Sequence, residues 1–598
     1  VRKVGGPWLM FESGSEPRLF GVPPGADFGR CLVSGLRKRV EGHPPEYMAR
    51  VEMFVNTRRL QHRIRVAFAD GSPGFLPKVR LLTEMERIPG ISADPISTVP
   101  PLRRRLELAR LVRKLIASQP DIAPPAAAFD LAGSLVDLME EMNGEGVSPD
   151  VFHRIDVADH SGHWDRTLSF LQLLAPYFEA ADPGPEGRRH IALERLLALW
   201  DESPPNHPVI VAGSSGSRGT TRRFMLAVAR LPQGGLVLPG YDFDLPAGVW
   251  SRMMESSAGE DHPQFRFAKL LRQLELGPEA VRKWIEKPPP SRARNELVSL
   301  ALRPAPVTDQ WMTDGPRLND IPGSLADVAL LEAPSPRDEA AAIALLLRSA
   351  AEDGRQAALV SPGRELGRRV AAALDRWNMV PDDSAGRPLA QSAPGRFLRH
   401  VAALFGQRLT GEALLALLKH PLANTGSDER GHHLLLTREL ELWLRRSGPA
   451  FPSGKDLIEW AGDNERRKVW SQWLAGVLNG HEQVGNRELA DHVASHLQMA
   501  EALAAGPYGS EASKLWQRIA GREAKRLMEG LRDGADAGGP MPPSEYSAML
   551  QVLMRERAVH DPPESAWPGI SIWGSLEVRA LTADLVVLGG LNEGVWPA

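Results

Sequence analysis

Short apolar runs, each closed by glycine and followed by a helical pattern, recur along this chain, and that repeat restricts its fold more than any other feature. Pro208-Val209-Ile210-Val211 precedes Gly213, and Leu236-Val237-Leu238 precedes Pro239-Gly240. Ala357 to Val360 precedes Ser361-Pro362-Gly363, and Leu585 to Leu588 precedes Gly589-Gly590. Runs of this length, rich in β-branched residues, read as buried strands that glycine ends in tight loops. Strand, Gly-containing loop and helix in repetition predict an α/β chain with doubly wound parallel sheets. Ligands of such sheets sit on loops at the carboxyl ends of the strands, where the stretch GGLNEGVWP falls.

A chain of 598 residues is too long for one core. The pattern divides it into a first α/β unit over 1–300, with a helical insertion at about 100–205, and a connector at 301–323. A second α/β unit covers 324–405 and 566–598 and is interrupted at 406–565 by a block whose apolar spacing is helical throughout. Further strands are expected at Arg18 to Val22, Leu76 to Leu82 and Val328 to Leu331. The Pro-, Arg- and Asp-rich stretch from Glu286 to Gly323 reads as inter-domain connector. A strand and loop at the very end, without a covering helix, and a first residue other than Met predict that the sequence is part of a longer protein.

With 71 basic and 74 acidic residues the net charge is −3, so contact with nucleic acid must come from local patches. The single cysteine, Cys31, excludes a disulfide framework and a Cys-ligated zinc or iron–sulfur site within this chain, and fits a reducing cytoplasm. No stretch approaches a membrane span.

The loop after the first strand is where a phosphate cradle is expected, and its residues depart from the P-loop pattern. Pro24 stands for the first glycine and lacks an N–H; Gly25 follows it in the turn. Gly29 keeps the second glycine, Arg30 replaces the compact lysine, and Cys31 offers no hydroxyl for Mg²⁺. ATP hydrolysis is not expected at this loop. The second Gly-rich loop, Gly213 to Thr221, has hydroxyls and glycines at a helix N-terminus but neither the P-loop lysine nor the dinucleotide spacing. Backbone amides there would hold a phosphate or cap the helix. Asp156, Asp159, His160, His163 and Asp165 resemble metal ligands, yet lack a helical i, i+4 His pair and read more simply as turn and cap residues. Asp382-Asp383 reads as a turn rather than an acid/base pair. Arg103, Arg110, Arg113 and Lys114 lie off the apolar face of one helix and read as a solvated face. Trp443, Trp460, Trp470, Trp473 and Trp516 read as core.

Two α/β units, each with a helical insertion, resemble superfamily 1 helicases of the UvrD/RecB type, built on two RecA-like parallel-sheet units. FGVPPGADF, VIVAGSSGSRGTTRRF with VLPGYD, AALVSPGRELGRRVAAALDRW, DDSAGRPLAQSAPGRFL, LLKHPLA and WGSLEVRALTADLVVLGGLNEGVWP together resemble the AddB family, in order along nearly the whole chain. The resemblance implies a subunit that pairs with an AddA-like helicase–nuclease and processes double-stranded DNA ends for recombinational repair in the cytoplasm. It implies that ATP and Mg²⁺ belong to the partner, and that the iron–sulfur cluster belongs to a C-terminal nuclease domain outside this sequence. On this resemblance the chain is a DNA-tracking scaffold without its own motor. Single-stranded DNA would run over both units, with Ser214, Ser215, Arg218, Arg364, Asn592 and Trp596 as candidate contacts. Two other readings stand beside it: an active helicase with a variant P-loop, and an unrelated nucleotide-binding α/β enzyme.

Overall fold

In the computed structural model the described residues run from 9 to 596, apart from 12–16, 72, 89–98, 119, 121–122, 125–126, 156–166, 169, 173–174, 176, 178–182, 256–258, 510–513, 561–566 and 576. The metal-like cluster from Asp156 to Asp165 lies outside the described residues.

The protein is α/β, with two parallel sheets and many helices, as the repeat predicts. The first sheet holds β1 (Leu19–Val22), β2 (Glu52–Val55), β3 (Lys78–Leu81), β4 (Val209–Ala212), β5 (Gly234–Pro239) and β6 (Val281–Lys283). Its order is β3-β2-β4-β5-β1-β6, with every pair parallel. Every residue of β1, β4 and β5 is buried, because helices cover both faces. Leu236, Leu238, Phe224 and Trp250 fill one face, and Val22, Leu32, Met53 and Trp284 the other.

The second sheet holds β7 (Ala357–Val360), β8 (Asp382–Asp383), β13 (Ile570–Trp573) and β14 (Leu585–Leu588), in the parallel order β14-β7-β13-β8. Between them, β9 (Arg387–Pro388) pairs with β12 (Ala558–Val559), and β10 (Arg487–Glu488) with β11 (Pro540–Met541), as short antiparallel ribbons. Asp382 and Asp383 are therefore strand residues as well as turn formers: Asp383 Oδ1 accepts from Ala385 N at 2.9 Å, while burial, above all, raises its pKa.

Val328 to Leu331 is not a strand. Its residues carry no ladder partner and Leu330 is 82% exposed, so β propensity without a neighbouring strand does not make a strand. The connector is more structured than its composition suggests. Helices Arg292–Ala301, Gln310–Asp314 and Ile321–Leu325 fold it back, and Val307 enters the first unit's core.

The two helical insertions pack against one another. Helix α1 spans Phe28–Val40 and α2 Arg58–Ala69; α3 (Pro101–Ser118) and α4 (Ala128–Glu145) begin the first insertion. Leu106, Val112, Phe129 and Met139 of α3 and α4 share one core with Leu414, Leu417, Trp470 and Tyr546 of the second. The basic side of α3 is correspondingly not a simple solvated face. Arg103 forms a two-pronged pair with Asp536 at 2.9 and 2.7 Å, and Arg105 meets Glu556 at 2.6 Å. Arg113 donates to Pro540 O at 3.0 Å and to Gly538 O, and pairs with Glu545 at 3.3 Å. Trp460 and Trp470 are core members of this block, and Trp443, Trp473 and Trp516 pack against it.

Candidate functional site

The carboxyl ends of the first sheet face the amino ends of the second across a cleft of about 1000 Å³. Pro23 to Asp27 and the flank of α1 line one wall, Gln356 and Thr582 to Asp584 the other, with Lys287 at the rim. Gly25 turns the chain at φ +78°, which suits glycine. Helix α1 then opens on Asp27, whose Oδ1 accepts from Arg30 N at 3.0 Å. That carboxylate caps the helix end to which a nucleotide phosphate would bind. Arg63 from α2 approaches the same carboxylate at 3.4 Å, and Arg30, largely exposed, lies 3.8 Å from it and 3.5 Å from Asp70.

Gly29 packs its Cα beside Arg63, and Cys31 points into the core, where burial first and Asp27 second raise its thiol pKa. These residues do not fit ATP·Mg²⁺. Pro24 lacks an N–H, Asp27 fills the helix terminus with like charge, and Cys31, at the cleft wall, carries a thiol where Mg²⁺ would need a hydroxyl.

The second Gly-rich loop is closed in the same manner. Helix Gly219–Arg230 has no side-chain cap of its own. Instead Glu145, at the end of α4, accepts from Gly219 N at 2.6 Å and pairs with Arg222 at 3.2 Å. Thr220 Oγ1 donates to Gly144 O at 3.0 Å. Ser214 is buried and accepts from Gly216 N at 3.2 Å, while Arg218 pairs with Glu186. Gly213 is required by close packing: at φ +77° a Cβ would overlap Leu60. Ser215 reaches across to Arg579 of the second unit at 3.4 Å.

A third carboxylate, Glu339, accepts from Gly590 N at 2.7 Å in the loop after β14. In that loop Trp596 donates from Nε1 to Gly589 O at 3.1 Å and packs beneath the second sheet. Asn592 and Arg364 are exposed. Arg364 begins helix Arg364–Asp375, and among the described residues it has no partner.

The six candidate contacts therefore fall in two groups. Ser214, Ser215 and Arg218 lie at the carboxyl edge of the first sheet, with Ser215 against the second unit. Arg364, Asn592 and Trp596 lie at the far edge of the second sheet, a strand length of about 13 Å farther on. Of the six, Ser214 and Trp596 serve local structure and Arg218 is neutralised by Glu186.

The residues that shape the site but escaped the sequence are Arg63, Glu145, Glu339 and Gln356. Only Asp27 carried a local signal, an N-cap carboxylate ahead of a helical pattern. Among the described residues no group of three or more His, Cys, Asp or Glu side chains is placed to hold a metal ion. No helix among them is long and apolar enough to cross a membrane. No protein-family model and no curated protein matches this chain.

Proposed function

We propose that this chain is an AddB-like, non-motor subunit of a helicase–nuclease, a DNA-binding scaffold that works beside an AddA-like partner on double-strand ends during recombinational repair. The observation that carries this reading is the cleft itself. Two parallel-sheet units face one another as in a helicase, yet the helix terminus reserved for the nucleotide phosphate is capped by Asp27 and braced by Arg63. The scaffold is kept while the fuel site is filled by the chain's own carboxylate. In this reading ATP and Mg²⁺ act in the partner, and single-stranded DNA meets the exposed carboxyl edge of the second sheet through Arg364 and Asn592.

Anisotropy of a labelled oligothymidylate tests it. Affinity is expected to fall steeply between 50 and 200 mM salt, with a slope set by the number of phosphates contacted. Arg364→Glu is expected to weaken binding further and to reduce that slope. The chain alone is expected to turn over no ATP. Turnover abolished by Arg30→Ala would favour an active helicase instead, and affinity independent of salt would remove the DNA reading. The carboxylate of Glu145 on Gly219 N weighs against a small-molecule phosphate site in the Gly213 loop.

A further inference from the structure

On the opposite, amino-terminal edge of the first sheet, the ends of α1 and α2 and the loop entering β3 enclose a second hollow. Its volume is about 540 Å³, within the range of ligand pockets. Its walls are aliphatic, aromatic and proline: Val40, Met48, Phe68 and Phe75, with Pro44 and Pro45. Its charges are of one sign. Among the described residues Arg37 and Arg65 line it and no carboxylate does, in a chain whose net charge is −3.

The nearby Asp70 faces the adjoining hollow, where Arg30 pairs with it at 3.5 Å. Arg37 donates to Phe68 O at 3.0 Å and lies 5.4 Å over the Phe68 ring. Arg65 is exposed and, among the described residues, has no partner. Phe75, 56% exposed, overhangs the rim with Leu76. His43 stacks on Tyr47 with ring centroids 4.4 Å apart, and its buried Nδ1 has no hydrogen-bond partner.

An apolar bed beside two guanidinium groups selects a ligand that is both apolar and anionic. We infer that this hollow docks an extended acidic segment of a partner polypeptide. One large apolar side chain seats among Val40, Met48, Phe68 and Phe75, and the neighbouring carboxylates lie on Arg65 and Arg37. Nucleic acid suits the hollow less well. An aliphatic and proline floor offers little to the polar edge of a base, and the site lies on the far side of the sheet from the loops proposed for DNA.

A fluorescein-labelled peptide of alternating Asp and Leu is the probe, read by anisotropy. Control peptides carry Asn for Asp, or Ser for Leu. Arg65→Glu and Phe75→Ser alter exposed side chains, so an unchanged melting temperature checks that the fold is kept. Each variant and each control peptide is expected to weaken binding at least about tenfold, or about 1.4 kcal/mol. Equal affinity for the variants, equal affinity for the controls, or no binding of the acidic peptide overturns the proposal. So does oligothymidylate binding that is lost in Arg65→Glu while the peptide stays unbound, which gives the hollow to nucleic acid. Because Arg364→Glu leaves this hollow untouched, failure here and failure of the DNA reading are separate results.

Discussion

Carboxylates and imidazoles carry the chemistry that distinguishes this molecule at the scale of single residues. Asp27 and Glu145 each supply the negative charge that a helix N-terminus attracts, so the two Gly-rich loops are complete without a ligand. Glu145→Gln keeps the shape but loses the charge at Gly219 N and Arg222. It is expected to lower unfolding free energy by about 1–2 kcal/mol, measured by urea denaturation.

The helical block buries several histidines. Burial, the largest cause, holds His420 and His496 down to about 4, and His400, Arg396 and Arg430 push His420 the same way. His496 is held between Tyr546 Oη at 2.7 Å and Leu398 O at 2.9 Å. Above their ordinary value of 6.5 these rings are neutral whether folded or unfolded, and contribute no pH dependence. Below it the unfolded chain takes up protons that the folded one refuses. Stability is therefore expected to fall between pH 6.5 and about 4, by up to about 1.4 kcal/mol per pH unit for each ring. Melting curves across that window check it, and His420→Gln is expected to flatten the slope.

Asp27, though not singled out in the sequence, was open to reading as an N-cap. Glu145 and Glu339 were not, since their amide partners stand 74 and 251 residues away and no local spacing connects them.

Elements show where apolar patterning succeeds. Four apolar runs became β4, β5, β7 and β14: the first three are legible because burial on both faces demands a continuous apolar stretch, whereas β14 keeps one at a sheet edge with Val586 and Leu588 exposed. The edge strand β6 has one buried residue in three and gave no periodicity, and β8 is two aspartates. Val328 to Leu331 misled for the opposite reason: it has strand composition but no strand beside it. Helix α3 misled as well, because a row of arginines reads alike whether it faces water or another element's carboxylates.

Arg113 is the most committed of that row, with two carbonyls and a carboxylate at a largely buried side chain. Arg113→Ala leaves those acceptors without their donor and is expected to cost about 2 kcal/mol. Hydrogen exchange is expected to rise on α3 and at Gly538 to Met541 together. Protection unchanged at both would mean that the shared apolar core alone holds the contact.

Across the whole molecule, two joints connect what the sequence divides into separate units. The insertions meet through their common core, and the two sheets meet through a few polar contacts at the cleft. Arg59 reaches Asp382 at 2.8 Å. Arg63 is shared among Asp27 at 3.4 Å, the Gln356 side chain at 3.0 Å and Thr582 O at 3.1 Å. The double variant Arg59→Ala, Arg63→Ala is expected to leave both sheets folded while exchange rises at Gln356 and Thr582. Calorimetry is expected to show a lower melting temperature for the double variant than for the parent chain.

A single guanidinium thus serves as rivet and brace together: it fastens one sheet to the other and steadies the carboxylate that caps α1. Prising the halves apart would strip it of Gln356 and Thr582 in one movement, so these contacts stand or fall together rather than one by one.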